Sequence, residues 1–234
     1  MSRGVRVSEK HDHASHSAGR FLNRREAGVE LACEVRPFAG QDTLVLGIPR
    51  GGVIVAAEVA RALGAELDAL VSRKLGAPDQ PELAIGAVTA TGGLVVNDQT
   101  ISAHDVTPGQ LASAIASGVA GAAAHQARFR GDRPAPRLAN RTVIVVDDGL
   151  ATGATMRAAL RDVRAAQPGR LVAAVPVGDP EACHALQPYA DTVVCLVAPA
   201  SFSAVGEYYD DFRAPDDETV RRLLEGLPGP DQEA

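Results

Sequence analysis

The order of apolar segments predicts an α/β protein with a mostly parallel open sheet and helices on both faces. Short apolar runs alternate with segments of helical periodicity over most of the 234 residues. Strands that alternate with helices are typical of a parallel sheet that is covered on both sides. Tryptophan is absent and aromatic residues make up 3% of the chain, so the core must be aliphatic.

The N-terminal half predicts a polar tail, two helix–strand units and a hairpin. Residues 1–19 are polar and predict a disordered tail. Gly76, Pro78 and Pro81 predict a loop over 75–84. The hairpin is predicted around Gly92-Gly93. The predicted helices are 21–35 and 53–63, and the predicted strands are 43–48, 67–71, 85–89 and 94–96.

The C-terminal half continues the alternation. A long Ala-rich helix over 108–130 precedes a polar linker. Residues 199–213 are irregular and are expected to form a small hood over the sheet. One domain over 20–225 and a flexible C-terminus at 226–234 follow from this division. The predicted strands are 143–146, 171–176 and 192–197, and the predicted helices are 153–166, 180–186 and 216–224.

Composition excludes several classes of function. The formal net charge of −6 argues against a nucleic-acid partner. No apolar run approaches the ~20 residues that cross a membrane, and no secretory signal is evident, so we expect a cytoplasmic protein without a membrane partner. Cys33, Cys183 and Cys195 are odd in number and widely spaced, and are expected to be buried thiols.

The segment Thr142–Met156, TVIVVDDGLATGATM, is the most informative in the chain. A buried strand ends in two acids, and a loop of small residues then opens a helix. The carboxylates can bind vicinal hydroxyls, and the free N–H groups of the helix N-terminus can bind a phosphate. Walker and dinucleotide-binding loops are excluded on spacing. The plainer alternative, a turn in which the acids only cap the helix, stays open.

This segment resembles the signature of the type I phosphoribosyltransferases. That signature is a hydrophobic strand, two acids, three variable residues and T-G-x-T, and it is complete here from Val143 to Thr155. The resemblance extends over about 40–212, and it is strongest to a stand-alone bacterial subgroup of undefined acceptor. The phrases that carry it are GIPRGG, RKLGAP, PELAIGAV and DDGLATGATMRAA.

The resemblance implies how the donor, 5-phosphoribosyl 1-pyrophosphate (PRPP), would bind. Asp147 and Asp148 would hold the ribose 2′- and 3′-hydroxyls, directly or through water and Mg²⁺. The metal ion would be bound mainly by substrate oxygens and have few protein ligands, because Mg²⁺ gives up its bound waters reluctantly. The 5′-phosphate would lie on the loop formed by Ala151, Thr152, Gly153, Ala154 and Thr155.

The pyrophosphate would be bound at the ends of two other predicted strands. Pro49-Arg50-Gly51-Gly52 matches the pyrophosphate loop of the family, in which a non-proline cis peptide is frequent. Such a bond would lie between Pro49 and Arg50. Lys74 is the basic residue expected to contact the pyrophosphate, although a solvated charge at a strand end is the plainer interpretation. Residues 75–105 occupy the place of the family's flexible loop, which closes over the leaving group.

The acceptor side is less defined. Phe202, Val205 and Tyr208 lie in the predicted hood and could contact a planar base, or could simply anchor the C-terminal segment. Many 6-oxopurine enzymes carry an Asp immediately before T-G-x-T, where this chain has Ala151. This departure argues against a hypoxanthine or guanine acceptor and leaves the general base unassigned.

The resemblance as a whole implies an Mg²⁺-dependent pentosyltransferase of nucleotide salvage. It would move the phosphoribosyl group from PRPP to a nitrogenous base and release pyrophosphate. Asp147, Asp148, Arg50 and Lys74 would form its catalytic set, and a homodimer is expected because many members dimerise. The alternative function is a non-catalytic regulator that kept the site for PRPP or a nucleotide.

Overall fold

The computed structural model describes residues 4–7 and 20–226. The strands in this part of the chain are β1 (Gly4–Val7), β2 (Thr43–Gly47), β3 (Glu66–Ala69), β4 (Ser72–Ala77), β5 (Gln80–Thr89), β6 (Leu94–Val96), β7 (Thr142–Val146), β8 (Arg170–Val177) and β9 (Thr192–Val197). The α-helices are α1 (Arg24–Val35), α2 (Gly51–Leu63), α3 (Asp98–Ala103), α4 (Pro108–Arg130), α5 (Ala154–Ala165), α6 (Pro180–Ala185) and α7 (Asp217–Leu224).

Six strands form a parallel sheet in the order β1-β9-β8-β7-β2-β3. The order reverses between β2 and β7. From β2 the chain runs through α2 to β3 on one side, and from β7 it runs through α5 to β8 on the other. This pair of strands is therefore the topological switch point, beside which open α/β sheets bind their ligands. The predicted fold class is confirmed.

The sheet is buried on both faces, and its side chains alternate between two cores. Val45 and Ile144 point toward α1 and α2, whereas Leu46 and Val145 point toward α5 and α6. All four are at most 3% exposed. A third core packs α4 and α7 beside β3, where Phe129 and Val220 meet. Because each strand has one face toward each core, α2 and α5 must begin on opposite faces of the same sheet edge.

The predicted loop over 75–84 is wrong, because most of it forms strands. β4, β5 and β6 make a separate antiparallel sheet, with Ala77 and Gln80 paired on either side of the turn. The pairing is irregular around Gly76, where an added Cβ would overlap the carbonyl oxygen of Pro81. Gly and Pro are tolerated at such bulges, so residues that usually mark a loop lie inside strands here. The hairpin around Gly92-Gly93 is confirmed.

The predicted disordered tail over 1–19 is corrected at Gly4–Val7, which forms β1. This segment pairs with β9 in parallel register, with Gly4 opposite Thr192. The pairing satisfies backbone groups on the outer edge of β9, which a four-residue pattern in a polar stretch does not reveal. The remainder of 1–19, and residues 227–234 of the predicted flexible C-terminus, lie outside the described residues.

Helix α3 and the thiol of Cys33 also depart from expectation. Helix α3 was not predicted, and it packs against β5 within the region assigned to a flexible loop. Cys183 and Cys195 are buried as expected, but Cys33 is exposed on α1. Within 4–7 and 20–226, no helix combines the length and hydropathy needed to span a bilayer.

The close contact of α1 and α2 predicts a sharp effect of one methyl group. A Cβ at Gly28 would lie 2.7 Å from the Val55 carbonyl oxygen and 2.8 Å from the Glu58 Cβ. We expect Gly28→Ala to lower the free energy of unfolding by about 1–3 kcal/mol through overpacking. Gly109→Ala is the matched control, because it lies in α4 with open space around it and should gain up to about 1 kcal/mol. Urea unfolding measures both, and an unchanged midpoint for Gly28→Ala would contradict the packing argument.

Candidate active site

The acid pair lies at the centre of the sheet, at the carboxyl end of β7. The backbone is continued beyond the strand by a hydrogen bond from the Asp147 N–H to the Ala174 carbonyl at 3.3 Å. On the other side, the Ile48 N–H donates to the Val146 carbonyl at 2.8 Å. Asp147 and Asp148 are thus held in the crevice between β7 and β2, at the switch point.

The predicted pyrophosphate loop packs directly on this acid pair. A Cβ at Gly51 would overlap Asp148 Oδ2, and a Cβ at Gly52 would lie 2.8 Å from the Asp147 Cα. Any side chain at either position would displace the acids, so the two glycines are required by contact rather than by an unusual φ. The peptide bond between Pro49 and Arg50 is cis, as predicted. Two motifs separated widely in sequence therefore form one site.

Arg24 is the site residue that sequence reasoning missed. Its Nε donates to Asp148 Oδ2 at 2.7 Å, and its Nη1 donates to the Arg213 carbonyl at 2.9 Å. The guanidinium also lies over the Phe212 ring, 3.9 Å from the ring centroid. A sequence signal existed: Arg24 continues the buried stripe of α1, three residues before Ala27 and seven before Leu31. An arginine on an apolar stripe needs a buried acceptor.

Electrostatics distinguishes the groups around the acids. Burial raises the pKa of Asp147 well above its ordinary value, and the neighbouring charge of Asp148 raises it further. The Asp148 N–H donates to Asp147 Oδ1 at 2.9 Å and partly offsets these effects on the pKa. Tyr209 donates its hydroxyl to the Asp148 carbonyl at 2.6 Å, and burial followed by the Asp148 charge raises its pKa. Tyr209 therefore stays a protonated donor at neutral pH.

The predicted phosphate loop is fixed at its start and open at its end. The Leu150 N–H donates to the Val177 carbonyl at 2.9 Å, and the Leu150 carbonyl accepts a hydrogen bond from the Asp179 N–H at 2.8 Å. Gly153 then takes a left-handed conformation with φ +71° and precedes α5. The Arg157 N–H bonds back to the Gly153 carbonyl, so the amides before it are left for a ligand by helix geometry.

The helix N-termini of the described residues differ in one respect. Five α-helices begin with a side chain that accepts a hydrogen bond from the first turn, supplied by Asn23, Asn97, Thr107, Asp179 and Asp216. Helices α2 and α5 begin without such a cap. These two helices follow the two loops predicted to bind phosphate groups, whereas α1, whose first residue Arg24 also contacts Asp148, is capped by Asn23. Uncapped N–H groups and the positive ends of two helix dipoles therefore converge on the crevice, which favours an anion there.

The structure does not bring the predicted cations onto the acid pair. Arg50 Nη1 lies 3.8 Å from the Asp217 carboxylate of α7. Lys74 Nζ donates to the Glu82 carbonyl oxygen at 2.7 Å and lies 3.6 Å from the Glu82 carboxylate. Both side chains are about half exposed, 47% for Arg50 and 46% for Lys74. Lys74 is paired with Ala87, which packs against Ala158 of α5, so it lies on the face of the hairpin sheet toward the phosphate loop.

The predicted hood does lie over the acid loop. Val205 covers Gly149, where an added Cβ would overlap the Val205 Cγ1. The rings of Phe202 and Tyr208 are nearly parallel, with centroids 5.9 Å apart. Both rings also pack against the α1–α2 core, so an anchoring role accounts for part of their contacts. Contact of these residues with a base stays a prediction.

The fold and the crevice together define the class: an α/β protein with its ligand site at a switch point, lined by acids and by two open helix N-termini. A family model described as "Phosphoribosyl transferase domain" matches residues 30–212. The chain therefore belongs to the phosphoribosyl transferase family, and the predicted membership of its type I branch is confirmed.

Individual relatives agree with this assignment. A Mycobacterium tuberculosis H37Rv protein named "Putative phosphoribosyl transferase Rv0571c" is 41% identical over 205 residues, which is 88% of this chain and 46% of that protein. The chain thus spans about half the length of the curated relatives that it matches. The crystal structure of TT1426 from Thermus thermophilus is 44% identical, with a TM-score of 0.76 over 90% of this chain and 100% of that chain.

The raised pKa of Asp147 predicts that this carboxyl costs stability at neutral pH. The native state binds a proton more tightly than the unfolded chain, so stability falls as pH rises from the ordinary carboxyl range to the raised native pKa, and stays lowered above it. Asp147→Asn should therefore unfold at higher temperature than the wild type at about pH 8 in a chelating buffer. The gain should shrink as the pH falls and vanish at about pH 3, where the wild-type carboxyl is mostly protonated in both states.

Asp211→Asn is the control for this measurement. Hydrogen bonds from Arg213 lower the pKa of the Asp211 carboxyl to about 2, so its replacement should give no gain at neutral pH. A scanning calorimetry series over pH checks both variants. An Asp147→Asn protein that is less stable than the wild type at about pH 8 would show that this acid has a structural role.

Proposed function

We propose that this chain transfers the 5-phosphoribosyl group from PRPP to a nitrogenous base and releases pyrophosphate, as a step of nucleotide salvage. The observation that carries the proposal is that α2 starts in contact with the acid pair and α5 starts at the end of the loop that follows it, both without a side-chain cap. PRPP has a phosphate at one end, a pyrophosphate at the other and a diol between them. The crevice offers an anion site at each side and two carboxylates in the middle.

The phosphate loop supports the first of these roles. Residues 151–155 would bind the 5′-phosphate through the amides at the start of α5 and the hydroxyls of Thr152 and Thr155. Ala151 and Thr152 are exposed, so a phosphate can reach them without rearrangement of the core. Gly153, with its positive φ, turns the backbone so that the amides face the ligand.

The start of α2 supports the second role. The amides of Gly51 and Gly52 would bind the pyrophosphate, and Arg50 and Lys74 would neutralise it as it leaves. Arg50 and Lys74 are half exposed, Arg50 in a loose ion pair and Lys74 in a loose ion pair and an exposed hydrogen bond to Glu82; exposed ion pairs of this kind are worth at most about 1 kcal/mol. Reorienting the two side chains toward a ligand of high negative charge therefore costs little.

The donor set fits magnesium held through the substrate. Within the described residues, no group of three or more His, Cys, Asp or Glu side chains forms a metal site by itself. Asp147 and Asp148 supply carboxylate oxygens, the ligand type that Mg²⁺ prefers, in too small a number for a complete shell. When bound, the ion would neutralise part of the pyrophosphate charge.

Asp147 and Asp148 would orient the ribose by accepting hydrogen bonds from its two hydroxyls. Their negative charge would also lie near C1 as it becomes positive during cleavage. Ala151 cannot take part in proton transfer, so deprotonation of the acceptor must come from another group or be unnecessary for that acceptor. A cytoplasmic location and a homodimer belong to the same proposal.

The direct test is turnover over a panel of bases. We expect the wild type to bind PRPP in the presence of Mg²⁺ and to release pyrophosphate with at least one base. Asp147→Asn combined with Asp148→Asn should abolish turnover while the thermal transition remains cooperative. Asp210→Asn removes a carboxylate from an exposed ion pair with Arg20 and should keep normal activity. Binding of PRPP without turnover on any base or amine would favour the regulator instead.

A second test concerns the hood. If Phe202 stacks on the acceptor, Phe202→Ala should raise KM for the base by roughly 2- to 10-fold, the value of one aromatic contact, and leave KM for PRPP unchanged. Ser203→Ala is the matched control from the same segment; its hydroxyl bonds only Glu207 among the described residues. Equal changes in both KM values would instead indicate that Phe202 supports the fold of the hood.

A further inference from the structure

Arg24 joins the acid pair to two other segments of the chain. Its Nε hydrogen bond to Asp148 Oδ2 is 2.7 Å long, and both side chains are largely buried, 9% and 18% exposed. Its Nη1 bonds the Arg213 carbonyl, and its guanidinium stacks on Phe212. A Cβ at Gly51 would lie 2.6 Å from the same Nε. Helix α1, the pyrophosphate loop and the C-terminal segment thus meet at one guanidinium.

This contact leaves Asp148 with one occupied and one open carboxylate oxygen. Oδ2 faces Arg24 and Gly51, so it is unavailable to a ligand above the sheet. The other oxygen accepts no hydrogen bond from a side chain within the described residues. Arg24 also supplies a positive charge to both adjacent carboxylates: it bonds Asp148 directly, and its charge lowers the pKa of Asp147.

We infer that Arg24 is a positioning residue for the donor, acting through Asp148. By fixing Oδ2, it aims the second carboxylate oxygen at the ribose hydroxyls and keeps the two acids together in one crevice. The inference rests on the proposed function, because it takes PRPP as the ligand of the acid pair. Arg24 itself does not touch the substrate: it is 8% exposed and lies behind Asp148 and Gly51.

The experiment compares PRPP affinity, KM and kcat in four proteins: the wild type, Arg24→Gln, Arg24→Lys and Arg25→Gln. Arg24→Gln should weaken PRPP affinity by about 10- to 100-fold, by analogy with the loss of a group that orients a metal-binding side chain. Its KM for the base should be unchanged. Arg24→Lys should recover part of the affinity, since a point charge can pair with Asp148 but cannot also hold Arg213 and stack on Phe212.

Arg25→Gln is the matched control. Arg25 follows Arg24 in the first turn of α1 and lines a cavity of about 670 Å³ together with it, but in the described part of the chain its side chain makes no hydrogen bond to the acids. The substitution removes the same charge one residue away from Arg24. We expect PRPP affinity within about twofold of the wild type.

A double-mutant cycle separates positioning from direct binding. If Arg24 acts through Asp148, then Arg24→Gln should change PRPP affinity by no more than about twofold in an Asp148→Asn background. A full effect in that background would overturn the inference, because it would mean that Arg24 contacts PRPP or supports the site by another route. Arg24→Lys keeps the test valid if Arg24→Gln fails to fold.

A crystal structure of ligand-free Arg24→Gln tests the positioning role without reference to activity. Asp148 should take a different rotamer there, whereas Arg25→Gln should leave it unchanged. Two results would overturn the role of Arg24: an Asp148 that keeps its rotamer in Arg24→Gln, or a PRPP affinity of Arg24→Gln equal to that of a wild type that binds PRPP. A wild type that does not bind PRPP, with Asp148 displaced in Arg24→Gln, would instead overturn the proposed function.

Discussion

The close contact between the first turn of α2 and the acid pair is the constraint on which the site depends. Gly51 and Gly52 have no side chains. This lack of side chains lets the helix start within van der Waals distance of Asp147 and Asp148. The contact brings the open amides of α2 to the same crevice as those of α5. It also excludes water from one side of Asp147, which raises the pKa of that carboxyl.

The crevice concentrates unfavourable electrostatics at one point of an otherwise ordinary core. Two adjacent, half-buried carboxylates repel each other, and Arg24 is the cation that balances them from within the described part of the fold. Amides of the first turns of α2 and α5 also lie at this crevice without a side-chain acceptor, because these two helices lack the side-chain caps that the other described α-helices have. Local costs of this kind often mark functional sites, since a bound ligand can satisfy what the fold leaves open.

The C-terminal segment has two functions in this arrangement. Tyr209 and Val205 close over the acid loop from above, while Phe212 and the Arg213 carbonyl hold the guanidinium of Arg24 from the side. The hood is therefore tied to the acid pair as well as to the α1–α2 core. In the proposed function, Ala151 would alter the acceptor side while the donor motifs remain complete.

Short-range patterns in the sequence were enough to predict the sheet, most of its helices and the local motifs. Strand and helix periodicity, the Gly-rich turns and the acid pair are each encoded within a short window, and helix α4 and strand β9 match their predicted bounds.

What lies beside each motif was settled by packing between distant segments. Packing placed β1 on the edge of β9, formed strands where Gly76 and Pro81 indicated a loop, and turned Lys74 toward Glu82. It also brought Arg24 to Asp148, because a buried ion pair between distant segments depends on the packing of α1 against the sheet, which no local pattern contains.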